Sequence, residues 1–240
     1  LHSDTAFPAG SSVLEAGCGV GAQTITLAKK SPDAVITSID ISEISLEEAR
    51  QKAAAEKITN VTFQQADIFN LSFAPHSFDH IFVCFVLEHL ANPVDALKAL
   101  KNYLKPGGTI TVIEGDHGSA YFYPNRKAAH SVIQCLVDLQ KKGGGNSMIG
   151  RELYPLLVKA GYQSVNISPR MVYADASKPE MVEGFTKNTF TAMIEGVREA
   201  SLNAGLIDEK TFNQGIKALN RTAAHDGVFC YTFFKATAVC

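Results

Sequence analysis

Residues 13–21, VLEAGCGVG, decide the fold of this chain. An apolar strand is predicted to end at Ala16, and a helical pattern begins just after Gly21. Glycine adopts positive φ readily and lets other atoms approach the main chain, so Gly17, Gly19 and Gly21 predict a strand-to-helix turn. We expect a nucleotide-like cofactor to contact the backbone at this turn.

The spacing of the three glycines argues against a dinucleotide. In the dinucleotide fingerprint G-x-G-x-x-G, the third glycine allows close packing and the helix N-terminus holds a pyrophosphate. Here the third glycine comes one residue earlier, which gives G-x-G-x-G. A glycine pattern alone is weak, so the rest of the assignment depends on the segments that follow it.

Two carboxylates follow the next predicted strands. Asp40 ends an apolar segment roughly twenty residues after the turn, where an acid can accept hydrogen bonds from ribose hydroxyls. Asp67 follows the third predicted strand and can accept a hydrogen bond from an exocyclic adenine amine. Each acid also precedes a helical pattern and can cap it, and the two roles are compatible.

Two later segments complete the series, namely the strand FDHIFVC at 78–84 and the turn LKPGG at 104–108. Taken in order, residues 11 to 115 resemble the class I S-adenosylmethionine-dependent methyltransferases. The resemblance is to their small-molecule branch, similar in motif to the quinone and sterol methyltransferases. It implies an enzyme that uses S-adenosyl-L-methionine to methylate a small organic acceptor at oxygen, nitrogen or carbon.

The resemblance also implies a set of cofactor contacts. Glu15 and the glycines would line the methionine end, Asp40 would hold the ribose, and Asp67 with Ile68 would contact the adenine. The cofactor has no phosphate, and its ammonium, carboxylate and sulfonium suit a nearby carboxylate and bare backbone groups. The residues assigned to the cofactor are Glu15, Gly17, Gly19, Gly21, Asp40, Ile41, Asp67, Ile68, Cys84 and Glu88.

Strand-like and helical segments alternate along the first half of the chain, which predicts right-handed crossovers and a parallel sheet. We expect an α/β fold of one domain, residues 1–240, with a doubly wound, mainly parallel seven-stranded sheet of the Rossmann-like methyltransferase type. The predicted strands are 12–16, 34–40, 61–66, 80–85, 109–114, 164–173 and 227–236. The predicted helices are 22–30, 45–57, 94–103, 128–142, 150–160 and 208–222, with one or two more within 178–204.

Helical insertions are predicted at about 115–146 and 178–224. The first begins with residues 115–124, a predicted loop with three consecutive aromatic residues. The insertions would either arch over the carboxyl edge of the sheet and wall off a substrate pocket, or serve in packing or dimerisation. Few residues precede the first strand, whereas the resembled family usually has one or two lid helices there. We therefore expect either that the chain is a fragment or that this leader is absent or unobserved.

Methyl transfer is an in-line displacement, so the enzyme supplies mainly position and dehydration, with a base when the nucleophile must lose a proton. A histidine titrates near neutrality and suits that base. His89, in a Glu-His pair after the fourth strand, and His117 are the catalytic candidates, with a structural role as the alternative for His89. The candidates for substrate binding are Glu114, Asp116, Tyr121 and Tyr123, and no metal is expected because no suitable Asp-Asn pair is present.

The composition of the chain limits the classes of partner that we expect. The formal net charge is -2 and there is no Lys/Arg block, which argues against nucleic acid. No apolar run is long enough to span a bilayer, so no membrane partner is expected. Five cysteines without a C-x-x-C pair indicate a reducing, cytoplasmic location. We expect a small-molecule substrate and allow for a homodimer.

Two other readings stay open at this point. A nicotinamide-dependent oxidoreductase shares the strand, turn and acid arrangement, although the early third glycine and the segments at Asp67 and 106–108 weigh against it. A non-catalytic scaffold would keep the cofactor motifs without turnover. Binding of S-adenosylhomocysteine but not NAD separates the first reading from the methyltransferase, and turnover separates the second.

Overall fold

The structure of the protein is a computed structural model and describes residues 4–240. The predicted domain of residues 1–240 therefore begins in three residues that lie outside the described part. A seven-stranded sheet forms the frame, which confirms the predicted α/β class. Its strands are β1 Ser12–Ala16, β2 Val35–Asp40, β3 Val61–Gln65, β4 Phe78–Cys84, β5 Leu104–Tyr123, β6 Gln163–Asp175 and β7 Val228–Val239, in the spatial order β3-β2-β1-β4-β5-β7-β6.

The first strand lies at the centre of the parallel part of the sheet. β1 runs parallel to β2 on one side and to β4 on the other, with Leu14 opposite both Thr37 and Ile81. Four of its five residues are buried, as expected for a strand covered on both faces. The chain adds strands outward from β1 to β3 and then crosses back to β4. Ligands of open α/β sheets bind at the carboxyl ends of strands where the order reverses in this way.

The first two helices begin directly after their N-cap residues, and α2 begins two residues earlier than predicted. α1 follows Gly21, whose φ of 77° makes the turn, and α2 follows Ser42, whose Oγ accepts a hydrogen bond from Ser45 N at 3.2 Å. No helix within residues 4–240 is long and apolar enough to cross a membrane. The helices are α1 Ala22–Lys30, α2 Glu43–Ala55, α3 Pro93–Lys101, α4 Lys127–Lys142, α5 Leu153–Lys159, α6 Pro179–Met181, α7 Ala192–Gly196, α8 Arg198–Asn203 and α9 Glu209–Thr222.

The chain divides into two compact units. The first holds the described residues up to Glu114, together with Arg151–Ser168 and Phe234–Cys240, and the second holds Gly115–Gly150 and Pro169–Phe233. Both predicted insertions fall in the second unit, and their closing over a substrate stays a prediction. Each unit has an apolar cluster of its own, with Phe82 at 0% exposure in the first and Phe212 at 0% in the second.

The fifth strand is longer than the sequence analysis predicted. Residues 115–123 continue β5, whereas a loop was expected there. Ser119 bonds to the backbone of Thr232, its Oγ accepting from Thr232 N at 2.9 Å. Phe122 is buried while Tyr121 and Tyr123 are exposed, so the three aromatic residues follow the alternation of a strand. The prediction of a loop for this segment was therefore wrong.

The predicted turn at 104–108 is a bulge inside β5. Leu104 pairs with Phe78, and the next registered pair is Thr109 with His80, so β5 carries extra residues between the two pairs. Gly107 has a φ of 77°, a left-handed conformation that a residue with a Cβ rarely adopts. The Pro-Gly-Gly sequence therefore forms a bulge near the start of β5 and does not interrupt the strand.

The helical region between β6 and β7 departs from a regular α-helix. Val182–Thr191 form a π-helix between α6 and α7, and Thr189 Oγ1 donates to Gly184 O at 2.7 Å. Helix was predicted across 178–204, and helix is present in this range, but it is broken into short pieces. A search for a 3.6-residue period does not distinguish a π-turn from an α-turn over so short a segment.

Candidate functional site

A cavity of about 390 Å³ lies in the first unit, at the carboxyl ends of the parallel strands. Its walls come from the glycine turn after β1, from residues that follow β2 and β3, and from the turn after β4. This volume is in the range of small-molecule and cofactor sites.

Each of the three positions favours glycine for a different structural reason. All three have positive φ, and Gly17 and Gly19 line the cavity. A Cβ on Gly17 would collide with the side chain of Val86, and a Cβ on Gly21 would lie 2.9 Å from the Cβ of Ala49. A Cβ on Gly19 would meet nothing within 4 Å. Gly21 thus allows α1 and α2 to pack closely and does not line the cavity, whereas Gly19 leaves space at the cavity wall.

Asp40 is held firmly at the cavity wall. Its Oδ2 accepts a hydrogen bond from Gly19 N at 2.8 Å, and its Oδ1 accepts one from Ser42 N at 2.9 Å. Each carboxylate oxygen can accept a further hydrogen bond. Ile41, the next residue, also lines the cavity and is exposed. The geometry offers a fixed acceptor for a pair of hydroxyl groups beside an apolar surface.

The segment after β3 forms a second wall. Asp67 lines the cavity, and its Oδ1 accepts a hydrogen bond from Phe69 N at 3.0 Å. Ile68 and Phe69 line the cavity beside it. Ala66 N donates to Asp40 O at 3.0 Å, which ties this wall to the end of β2. A carboxylate next to apolar side chains suits a flat heterocycle that carries an amine.

The turn after β4 forms a third wall, from Phe85, Val86, His89 and Leu90. The side chain of His89 is 64% exposed, and its Nε2 lies 3.6 Å from Glu88 Oε1. Glu88 is half-buried and does not line the cavity. Of the predicted Glu-His pair, the histidine is therefore the member at the cavity.

Glu15 does not line the cavity. It is buried, and its Oε2 accepts hydrogen bonds from Ser38 Oγ at 2.6 Å and Thr24 Oγ1 at 2.7 Å. Burial raises the pKa of Glu15 to about 7, and the two hydroxyl hydrogen bonds offset part of that increase. The carboxyl group joins β1 to β2 and α1. Cys84 is likewise buried away from the cavity, and burial is the main reason why the pKa of its thiol is raised.

The predicted substrate residues are not brought together at this cavity. Glu114 is fully buried in the first unit, and Asp116 is buried in the second, where its Oδ1 accepts a hydrogen bond from Gly118 N at 3.0 Å. Tyr121 and Tyr123 are exposed on the second unit. None of the four lines the cavity.

His117 occupies a buried aromatic setting in the second unit. Its Nδ1 lies 2.6 Å from the hydroxyl oxygen of Tyr231, and its ring centroid lies 6.0 Å from that of Phe190. His117 N also donates to Ser147 O at 2.9 Å. These contacts indicate a structural, packed role for His117. Its ring is buried and is less accessible to a ligand than the exposed ring of His89.

Several cavity residues were missed by the sequence analysis. They share a place just after a strand or at the start of a helix, on the same edge as Asp40. The rule that ligands bind at the carboxyl ends of parallel strands, which identified Asp40 and Asp67, applies to them equally. Their side chains are uncharged, however, so the sequence gives no chemical reason to select them. The missed residues are Ser45, Ala66, Phe69, Phe85, Val86 and Leu90.

Comparisons with known proteins identify the family. The profile of a family described as a methyltransferase domain matches residues 8–161. An uncharacterized methyltransferase of Schizosaccharomyces pombe is 32% identical over 161 residues, which covers 65% of this chain and 58% of that protein. A demethylmenaquinone methyltransferase of Staphylococcus aureus is 35% identical over 115 residues, 48% of this chain and 47% of that protein. The chain thus spans about half the length of these relatives.

A solved structure shows the same fold. The phosphoethanolamine N-methyltransferase 2 of Haemonchus contortus, in complex with S-adenosyl-L-methionine, matches 97% of this chain and 49% of that chain. The TM-score is 0.59 at 17% sequence identity. At this identity the match supports the fold, and the profile match across most of the chain is what decides the family. The chain belongs to the methyltransferase-domain family.

Proposed function

We propose that this chain uses S-adenosyl-L-methionine to methylate a small organic acceptor at oxygen, nitrogen or carbon. Membership in the methyltransferase-domain family supports methyl transfer. The observation that carries the choice of cofactor is Asp40, whose two oxygens are fixed by Gly19 N and Ser42 N at a cavity wall. That arrangement suits the two hydroxyls of a ribose.

The other cavity residues fit the same cofactor. Asp67 would accept from the adenine amine, and Ile68 with Phe69 would cover the ring. Gly17 and Gly19 would offer backbone groups to the methionine end, and the open space at Gly19 leaves room for it. The cofactor has no phosphate, so the turn needs no anion cradle of the dinucleotide type.

When bound, the cofactor supplies a methyl group on a sulfonium, which an acceptor nucleophile displaces in line. This chain would then contribute position and removal of water. His89 is the candidate general base, because its exposed ring lies at the cavity and imidazole titrates near neutrality. His117 is a weaker candidate, because its ring is already engaged with Tyr231.

The nature of the acceptor and the location are argued from composition. A formal net charge of -2 without a basic block favours a small molecule over nucleic acid as the acceptor. All five cysteines are free, which supports a reducing, cytoplasmic location. The oxidoreductase alternative is set aside because the matched family is one of methyltransferases.

Calorimetric titration with S-adenosylhomocysteine, with NAD as the control ligand, tests the cofactor. We expect micromolar binding of the former alone. Asp40→Ala should weaken that binding on the order of tenfold or more, because hydrogen bonds to a charged group contribute about 1.5–3 kcal/mol. Asp33→Ala removes an exposed carboxylate of the same unit and should leave affinity unchanged.

A folded protein that binds no S-adenosylhomocysteine, or an Asp40→Ala variant with unchanged affinity, would contradict the proposal. Tight binding with no methylation of any acceptor in a broad screen would instead favour the scaffold reading.

A further inference from the structure

The turn after β4 has an unusual backbone conformation. Phe85 has a φ of 58°, in the left-handed region that residues with a Cβ rarely adopt. Phe85 and the following Val86 both line the cavity. Such conformations persist only where the surroundings hold them, and they are concentrated at functional sites.

Three consecutive backbone N–H groups of this turn are bonded to the middle of β5. Phe85 N donates to Ile113 O at 2.9 Å. Val86 N and Leu87 N then donate to one and the same atom, Glu114 Oε1, at 3.0 and 2.7 Å. A single carboxyl oxygen therefore satisfies two successive main-chain donors just after the strained residue.

The position of this turn is coupled to that of the glycine turn. The side chain of Val86 fills the space that a Cβ on Gly17 would need. Two residues further on, Gly19 N donates to Asp40 Oδ2. A continuous set of contacts thus connects Glu114, through Val86 and Gly17, to the wall of the cavity that carries Asp40.

We propose that Glu114 is a positioning residue of the cofactor cavity, whose side-chain oxygen holds the backbone of Val86 and Leu87 and so keeps Val86 against the glycine turn. This inference rests on the proposed function of the cavity. Glu114 is 0% exposed and does not line the cavity, so it acts through the backbone of Val86 and Leu87. This role differs from the substrate contact expected from the sequence.

The charge state of Glu114 agrees with this role. Burial, and secondly the nearby carboxylate of Glu88, raise the pKa of Glu114 to about 8, while backbone hydrogen bonds from Leu87, Val86 and Glu88 offset part of the increase. Its Oε2 is buried and has no hydrogen-bond partner among residues 4–240. A neutral acid of this kind uses only its carbonyl-like oxygen as acceptor. The amide of a glutamine reproduces that oxygen, the shape and the charge.

Three variants test the inference. Glu114→Leu fills a similar volume but offers no acceptor, and Glu114→Gln keeps the acceptor. Val112→Ala is the control, because it removes packing from a buried position of the same strand whose paired residue, Val83, lies within β4 and not in the turn. Two quantities are measured, namely the affinity for S-adenosylhomocysteine and the exchange rates of individual backbone amides in the ligand-free protein.

We expect Glu114→Leu to weaken binding on the order of tenfold and to speed exchange of the Val86 and Leu87 amides by a similar factor, since buried donors lose their partner. Glu114→Gln should restore both quantities to within about twofold of wild type. Val112→Ala should change neither quantity by more than about twofold. If Glu114→Leu does not fold, Glu114→Asp, with its shorter reach, replaces it with the same expected losses.

Equal affinity in wild type and Glu114→Leu, or equal losses in Glu114→Leu and Val112→Ala, would overturn the inference. If the wild-type protein binds no S-adenosylhomocysteine, the proposed function fails, and amide exchange alone decides the role of Glu114. Val86 and Leu87 amides that stay as protected in Glu114→Leu as in wild type would then reject it.

Discussion

At the scale of single residues, the glycine turn combines two requirements that the sequence motif does not separate. Gly21 is needed because α1 and α2 approach closely at Ala49, whereas Gly19 faces open space at the cavity. Both have positive φ, so either substitution strains the backbone by about 1–2 kcal/mol. Only one of the two substitutions adds a collision inside the protein.

Gly21→Ala and Gly19→Ala should therefore affect different properties, namely stability and ligand affinity. Gly21→Ala should lower the free energy of unfolding by more than Gly19→Ala, because its methyl group meets Ala49. Gly19→Ala should mainly lower the affinity for S-adenosylhomocysteine, because its methyl group occupies cavity space. Urea denaturation and calorimetry of both variants check this. Equal losses of stability with unchanged affinity in Gly19→Ala would contradict the assignment.

At the scale of elements, α2 links the fold to the site through its first turn. Ser42 Oγ accepts from Ser45 N, and Ser42 N donates to Asp40 Oδ1. The N-cap serine thus stabilises the helix with its side chain and fixes the cavity carboxylate with its backbone.

Removing the cap should separate these two contributions. Ser42→Ala loses the side-chain cap and the hydrogen bond that Ser45 Oγ donates to it at 3.1 Å, so we expect the free energy of unfolding to fall by about 1 kcal/mol, as measured by urea denaturation. Ser42→Gly should cost only a few tenths of a kcal/mol, since glycine is tolerated at the N-cap. Affinity for S-adenosylhomocysteine should change little in either variant, because Ser42 N remains. A large loss of affinity in Ser42→Ala would mean that the hydroxyl itself contacts the ligand.

Comparison of the elements also shows where sequence patterns were sufficient to predict the bounds of a strand or helix. β1, α1 and β2 were predicted within one residue, because a central strand is continuously apolar and the turn glycines mark its end. The extension of β5 was missed, because its pairing partner on β7 lies more than 100 residues away, as the Ser119–Thr232 contact shows. A local sequence pattern does not predict pairing with so distant a segment.

At the scale of the whole molecule, two buried carboxyl groups make stability depend on pH. Burial raises the pKa of Glu15 to about 7 and that of Glu114 to about 8. Between the ordinary value near 4.5 and these raised values, the folded protein binds more protons than the unfolded chain. The stabilising contribution is complete below about pH 4.5 and is lost as the pH rises to 7 or 8.

These two carboxyl groups should therefore make the free energy of unfolding fall between pH 5 and pH 8, against an opposing change below about pH 6.5 from His80, whose pKa is lowered by burial. Each group contributes a slope of at most about 1.4 kcal/mol per pH unit, from the free-energy equivalent of a pKa shift. Urea denaturation at several pH values measures this slope, and Glu114→Gln should reduce it by removing one of the two titrations. A stability that rises over this interval, or a slope unaffected by Glu114→Gln, would contradict the assignment.

The sequence by itself determined the parallel part of the sheet, the glycine turn and the acids that end β2 and follow β3. These features depend on local rules, namely the apolar character of a buried strand, the φ freedom of glycine and the edge at which parallel strands end. It also identified the methyltransferase family through motifs that lie in order along one half of the chain.

Only the tertiary structure decided which carboxylates face the cavity and which face the interior. Asp40 and Glu15 both lie at or near the end of a central strand, yet Asp40 lines the cavity while Glu15 is enclosed by Ser38 and Thr24. Glu114 likewise turned inward to hold the backbone of the turn after β4. The reason is physical: the environment of a side chain is set by the elements that pack around it, and those come from distant parts of the sequence.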